Sequence, residues 1–83
     1  MITVRLFGMT KSLAGNQTSL SLSLANGQRV KDLAGFINDS YPVIGELIHK
    51  KKILVSVNQE IAHEETEIHE DDEIALLPPF AGG

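Results

Sequence analysis

The sequence predicts an α+β domain: a mixed sheet of about four to five strands with one main helix packed on one face. Three observations predict it. Stretches of alternating apolar and polar residues open and close the chain, one amphipathic helical stretch lies between them, and 83 residues leave room for a single core.

The first strand runs from Ile2 to Phe7, with Ile2, Val4 and Leu6 on one face and Thr3, Arg5 and Phe7 on the other. Gly8, Gly15 and Asn16 then bracket residues 9–14, which are expected to make one helical turn before the chain reverses. In residues 18–24 the alternation returns, leucines at 20, 22 and 24 facing the core and serines at 19, 21 and 23 facing water. Asn26-Gly27 is a turn pair. After it Val30, Leu33, Ala34 and Ile37 recur at helical spacing, and Pro42 stops that helix.

Residues 43–49 read as a second helical turn followed by Lys50-Lys51-Lys52. Residues 53–57 read as a buried strand, Asn58-Gln59 as a turn and residues 60–62 as a short return strand. Ile68 lies in an acidic loop, and residues 73–77 form the last strand. This order is that of a β-grasp, or ubiquitin-like, fold. The last strand is expected to lie parallel beside the first through a right-handed crossover, which makes Phe7 and Leu77 neighbours. The body is therefore residues 1–77, and residues 78–83 are an extended tail.

Composition excludes several classes. Seven basic against eleven acidic residues give a net charge of −4 with no basic stripe, so nucleic acid is not expected as a partner. No cysteine means no disulfide framework, thiolate nucleophile or thiolate metal site. The apolar run at residues 74–80 holds two prolines and is far shorter than a membrane span, and the first residues do not read as a secretory signal. A cytoplasmic protein without a membrane partner is expected.

The tail, Pro78-Pro79-Phe80-Ala81-Gly82-Gly83, carries the chemistry. Two terminal glycines arise by chance in about 1 chain in 200, given Gly at roughly 7% of positions. The prolines favour a stiff extended backbone, and from Pro78 to Gly83 the reach is at most about 20 Å. Glycines pass a narrow channel and leave the terminal carbonyl open to attack. The free α-carboxylate is ionised at neutral pH and a poor acyl donor, so another enzyme must activate it. No acid, base and nucleophile set stands elsewhere in the chain.

The sequence resembles the MoaD-like small subunits of molybdopterin synthase, β-grasp relatives of ubiquitin and of the thiamine sulfur carrier ThiS. The resemblance covers nearly the whole chain. It rests on residues 4–7, Leu13-Ala14-Gly15, Val57-Asn58-Gln59, Asp72-Glu73-Ile74-Ala75 and, above all, the di-proline to di-glycine ending. Two departures from the usual pattern stand out: Lys11-Ser12 where many members have Arg-Glu, and Asp71 where they have a Gly. Asp tolerates the left-handed conformation that such a turn glycine serves.

The resemblance implies that a MoeB-like, ubiquitin-activating-type adenylyltransferase uses ATP to adenylate the Gly83 carboxylate. Sulfur from a persulfide donor then replaces AMP. The Gly83 thiocarboxylate enters a MoaE-like large synthase subunit and gives its sulfur to cyclic pyranopterin monophosphate, forming the dithiolene of molybdopterin. The chain itself binds no cofactor, and the catalytic side chains belong to the large subunit. Pro78, Pro79, Phe80, Ala81 and Gly82 are the inserted segment. Phe7, Ile61, Ala75 and Leu77 are the expected partner interface: alternation sets Phe7, Ala75 and Leu77 opposite the helix, and the resemblance adds Ile61.

Two further readings stay open: a carrier for another pathway, such as thiamine thiazole or tRNA thiolation, and a ubiquitin-like modifier joined through Gly83 to protein lysines. His63 and His69, among Glu64, Glu65, Glu67, Glu70, Asp71 and Asp72, match no metal-ligand spacing and read as a solvated acidic loop.

Overall fold

A computed structural model describes residues 2–25 and 27–78. The elements in chain order are β1 (Ile2–Leu6), α1 (Met9–Leu13), β2 (Ser19–Leu22), β3 (Gln28–Arg29), α2 (Val30–Ser40), α3 (Pro42–His49), β4 (Leu54–Val57), β5 (Glu60–Ile61), β6 (Glu67–Ile68) and β7 (Ile74–Leu77). Five strands form one mixed sheet in the order β2-β1-β7-β4-β5, and β3 pairs with β6 apart from it.

The expected central pairing is present. β7 runs parallel to β1, with Val4 beside Ile74 and Leu6 beside Leu76, while β2 and β4 run antiparallel on either side. Alternation decides the faces: Ile2, Val4, Leu6, Leu20, Leu22, Ile74 and Leu76 are buried on one face, against Val30, Leu33, Ile37 and Ile44 of the helices. The described helices α2 and α3 cover this face and leave the other without a helical layer.

α2 begins where loop carbonyls satisfy its first amides. Val30 N–H donates to Thr66 O at 2.9 Å and Lys31 N–H to Glu64 O at 3.0 Å. The Asp32 carboxylate reaches back to Arg29 N–H at 2.9 Å. The helix ends at Ser40, as Pro42 predicts, but that proline also opens α3 as its first residue. Proline suits that position because its missing N–H would have had no partner there. Residues 43–49 thus belong to an eight-residue helix rather than to one turn.

At the far end of α3, Lys51 N–H donates to Ile48 O at 3.0 Å and Lys52 N–H to Leu47 O at 2.8 Å, with Lys51 at φ 61°. That is a Schellman ending with lysine in the place glycine usually takes. The basic run is therefore part of the helix stop.

Ile68 corrects the reading of residues 63–72 as a wholly solvated loop. It is buried, and it pairs with Gln28 across β3 and β6. Its burial pins the acidic segment to the start of α2, where Glu65 bridges Arg29 at 2.8 Å and Lys31 at 3.2 Å.

Candidate functional site

The register of the sheet assembles the outer face. Arg5 stands opposite Ser19 and Ala75, Ala75 opposite Ser56, and Ser56 opposite Ile61, so these residues form one row across five strands. In the next row Leu77 stands opposite Leu54, and Phe7 follows one step beyond the Leu6–Leu76 pair. Phe7, Ile61, Ala75 and Leu77 all line one groove of about 340 Å³, together with Arg5 and Glu73.

Phe7 is 40% and Ile61 57% exposed, while Ala75 and Leu77 are half-buried by their neighbours. The Arg5 guanidinium carbon lies 5.3 Å from the Phe7 ring centre, a cation–π contact that steadies the ring beside the groove. Leu54, which the sequence reading placed in a buried strand, is half-buried in this second row. Strict alternation from Ile53, Val55 and Val57 would have shown it.

A tight junction lies where β1 ends. Gly8 holds φ 59° and ψ −131°, the geometry of the first central residue of a type II′ turn, and Thr10 N–H closes that turn on Phe7 O at 3.2 Å. The Thr10 hydroxyl is buried. It accepts the Phe7 N–H at 2.9 Å, donates to Phe7 O at 2.7 Å and lies 3.4 Å from Leu76 O. A Cβ on Gly8 would stand 3.5 Å from Pro78 Cγ, so the proline packs directly over the turn. The end of β7 is thereby fixed to the end of β1 at the root of the tail.

Pro78 is half-buried there. The expectations for Pro79, Phe80, Ala81, Gly82 and Gly83 lie outside the described residues.

A second junction holds the opposite corner. Asn58 and Gln59 both have positive φ, 53° and 70°, as the two-residue hairpin turn between β4 and β5 requires. The Asn58 amide donates to Asp72 Oδ1 at 3.0 Å and its carbonyl accepts Glu73 N–H at 3.0 Å. Asn58 N–H also donates to Glu73 O at 2.7 Å. The Asn58 amide, and after it His69 N–H at 2.8 Å, hold the Asp72 carboxyl below its usual range. Asp71 is not left-handed: the non-glycine residues with positive φ among those described are Asn16, Lys51, Asn58 and Gln59. With this turn built on Asp72 accepting His69 N–H, no left-handed residue is needed at 71.

His63 N–H donates to Thr66 Oγ1 at 3.0 Å, and His63 and His69 are both exposed. Among the described residues no group of three His, Asp or Glu side chains is placed to hold a metal ion. No described helix is long and apolar enough to cross a membrane.

A parallel β1–β7 pair at the centre of a mixed sheet, helices on one face and an apolar groove on the other define a ubiquitin-like β-grasp domain. The sequence profile of the ThiS family matches residues 4–83, and the chain belongs to that family. It is 30% identical over 84 residues to the molybdopterin synthase sulfur carrier subunit of Haemophilus influenzae, covering all of both chains. It is 28% identical over 82 residues to the protein of the same name from Mycobacterium tuberculosis, covering 99% of this chain and 96% of that one.

Among solved structures, small archaeal modifier protein 1 of Haloferax volcanii superposes with a TM-score of 0.75 at 22% identity, over 95% of this chain and 97% of that one. A protein–protein complex of subunits 1 and 2 of the molybdopterin-converting factor from Helicobacter pylori contains a chain that superposes with a TM-score of 0.66 at 22% identity, over 99% and 97%. These likenesses establish the fold.

Proposed function

We propose that this chain is the sulfur carrier subunit of a molybdopterin synthase. The observation that carries the reading is the match to two relatives of that name over nearly all of both chains, together with the Pro-Pro-Phe-Ala-Gly-Gly motif at residues 78–83. The Gly83 carboxylate attacks ATP in a MoeB-like activating enzyme, releasing pyrophosphate and leaving an acyl adenylate. The outer sulfur of a persulfide donor displaces AMP to give an acyl disulfide, and a second thiol cleaves its S–S bond by forming a disulfide with the donor sulfur. The thiocarboxylate so released delivers its sulfur to cyclic pyranopterin monophosphate in the large subunit, leaving the Gly83 carboxylate.

The chain binds no cofactor of its own in this scheme, and ATP belongs to the activating enzyme. The work takes place in the cytoplasm, where ATP is supplied. The groove of Phe7, Ile61, Ala75 and Leu77 is the face offered to both partners. Its apolar side chains lie beside the turn from which Pro78 starts the tail, so one docking event grips the body and presents the end.

The test is the intact mass of the untagged chain after incubation with ATP, a sulfide source and a MoeB-like enzyme verified on its own substrate, beside a chain lacking Gly83. The expected result is a gain equal to exchange of one oxygen for sulfur, absent in the shortened chain. No gain would overturn the carrier reading, and isopeptide-linked adducts in cell extract would point to a modifier instead. Release of that sulfur to cyclic pyranopterin monophosphate in the presence of a large synthase subunit separates this pathway from thiamine or tRNA thiolation.

A further inference from the structure

β2 is the outermost strand on one side of the main sheet, with β1 as its neighbour. Leu6 N–H donates to Thr18 O at 2.9 Å, which fixes the phase of the ladder, because hydrogen-bonded pairs recur at every second residue of an antiparallel pair. The main-chain groups of Thr18, Leu20 and Leu22 therefore aim at β1. Those of Ser19 and Ser21 aim outward, and among the described residues no other segment hydrogen-bonds to them through its backbone.

Such an edge is ordinarily guarded by lysine, proline, a bulge or a covering loop. Here residues 12–28 contain no Asp, Glu, Lys, Arg or Pro. Ser19, Ser21 and Ser23 are exposed.

We propose that the β2 edge is the contact surface of a two-fold symmetric dimer, in which β2 pairs antiparallel with β2 of a second copy and the two sheets run on as one. Self-complementarity selects a second copy as the occupant. Pairing Ser21 with Ser21 of the second copy sets Leu20 opposite Leu22 and Ser19 opposite Ser23. Leucine then meets leucine on the core face and serine meets serine on the outer face. In the same register the outward groups of Ser21 meet those of Ser21 in the second copy, and those of Ser19 face Ser23, the residue just past the end of β2.

Charge points the same way. Each copy carries a net charge of −4, and the uncharged stretch is where two copies approach with least repulsion. The opposite edge, β5, has two residues, one of them Glu60, and its Ile61 belongs to the groove. A β2–β2 contact leaves the groove open on each copy.

The natural chain has no cysteine, so single replacements report the register. Cα atoms of a hydrogen-bonded antiparallel pair lie about 5.5 Å apart, within disulfide reach. Ser21→Cys is expected to form a disulfide-linked dimer under mild oxidation. Ser19→Cys, displaced from its own counterpart by four residues or about 13 Å along the strand, is expected to stay unlinked. Sedimentation velocity of the untagged full chain should show a monomer–dimer equilibrium that shifts with concentration.

Ser21→Lys, which sets like charges face to face at the two-fold axis, should weaken that equilibrium several-fold while leaving the thermal midpoint unmoved at concentrations where the wild-type chain is monomeric. A wild-type chain that stays monomeric into the millimolar range overturns the proposal, including the case where the edge captures a strand of a different protein. So does a dimer indifferent to Ser21→Lys, or equal linking by both cysteine variants.

Discussion

Thr10 joins two strands that are neighbours in space and far apart in the chain. Its buried hydroxyl accepts from Phe7 N–H and donates to Phe7 O, with Leu76 O 3.4 Å away. Thr10→Val keeps the shape and leaves the Phe7 N–H without its acceptor. Stability in urea should fall by about 1–3 kcal/mol, with Thr10→Ser restoring most of it; an unchanged midpoint for Thr10→Val would refute the role. Nothing in the sequence marked this residue, since one threonine among Met9, Lys11 and Ser12 has no partner visible along the chain.

Phe7 was legible, because alternation sets it opposite Leu6. Its ring is 40% exposed, so Phe7→Ala should lower affinity for the large subunit proposed as partner about tenfold or more by calorimetric titration while the thermal midpoint barely moves. Unfolding by that change would place the ring in the core instead.

Among the elements, the contact between α2 and α3 turns on one glycine. A Cβ on Gly45 would stand 2.5 Å from Asn38 Cβ and 2.7 Å from Asn38 Cα, closer than atoms pack. Gly45→Ala must push the helices apart and should cost about 1–3 kcal/mol in chemical denaturation, although alanine is the better helix former. A gain in stability would show that the helices have room. The end of α3 predicts the opposite sign. Lys51 sits at φ 61°, where glycine is unstrained, so Lys51→Gly should raise stability by about 0.5–1 kcal/mol, read as a higher denaturation midpoint.

The same elements show what the sequence revealed. β1, β2, α2 and β7 were readable because each is long enough for period 2 or 3.6 to repeat, and β4 because its residues form a short, nearly continuous apolar run. β3 and β6 have two residues each, too few to show any period, and their pairing depends on Ile68 being buried by the fold as a whole. Of the groove, Phe7, Ala75 and Leu77 were readable from alternation. Ile61 came from the resemblance alone, because a two-residue strand does not announce its face.

For the whole molecule, solution acidity acts through the corners that hold the loops. Asp72 is held below its usual range chiefly by the Asn58 amide, and Glu65 by Lys31 first and Arg29 after it. A native value below the unfolded one means that the contribution is complete above the ordinary carboxyl range near pH 4. It is lost as pH falls through the lower native value. Thermal midpoints should therefore decline below about pH 4, and Asp72→Asn should flatten that decline; an identical acid profile for the variant would exclude Asp72 as a contributor. Salt should mute the part due to Glu65, whose side chain is 63% exposed.

The parallel pairing of β1 and β7 also has a mechanical side. β7 is held between β1 and β4, with Pro78 leaving from its end beside Gly8. A pull applied beyond Pro78 runs along the strand axis and loads both flanking ladders in shear. Many hydrogen bonds must then yield together rather than one after another, as they would if the strand were peeled from an edge. The body can be drawn against a partner by its last residues without unravelling from the end being pulled.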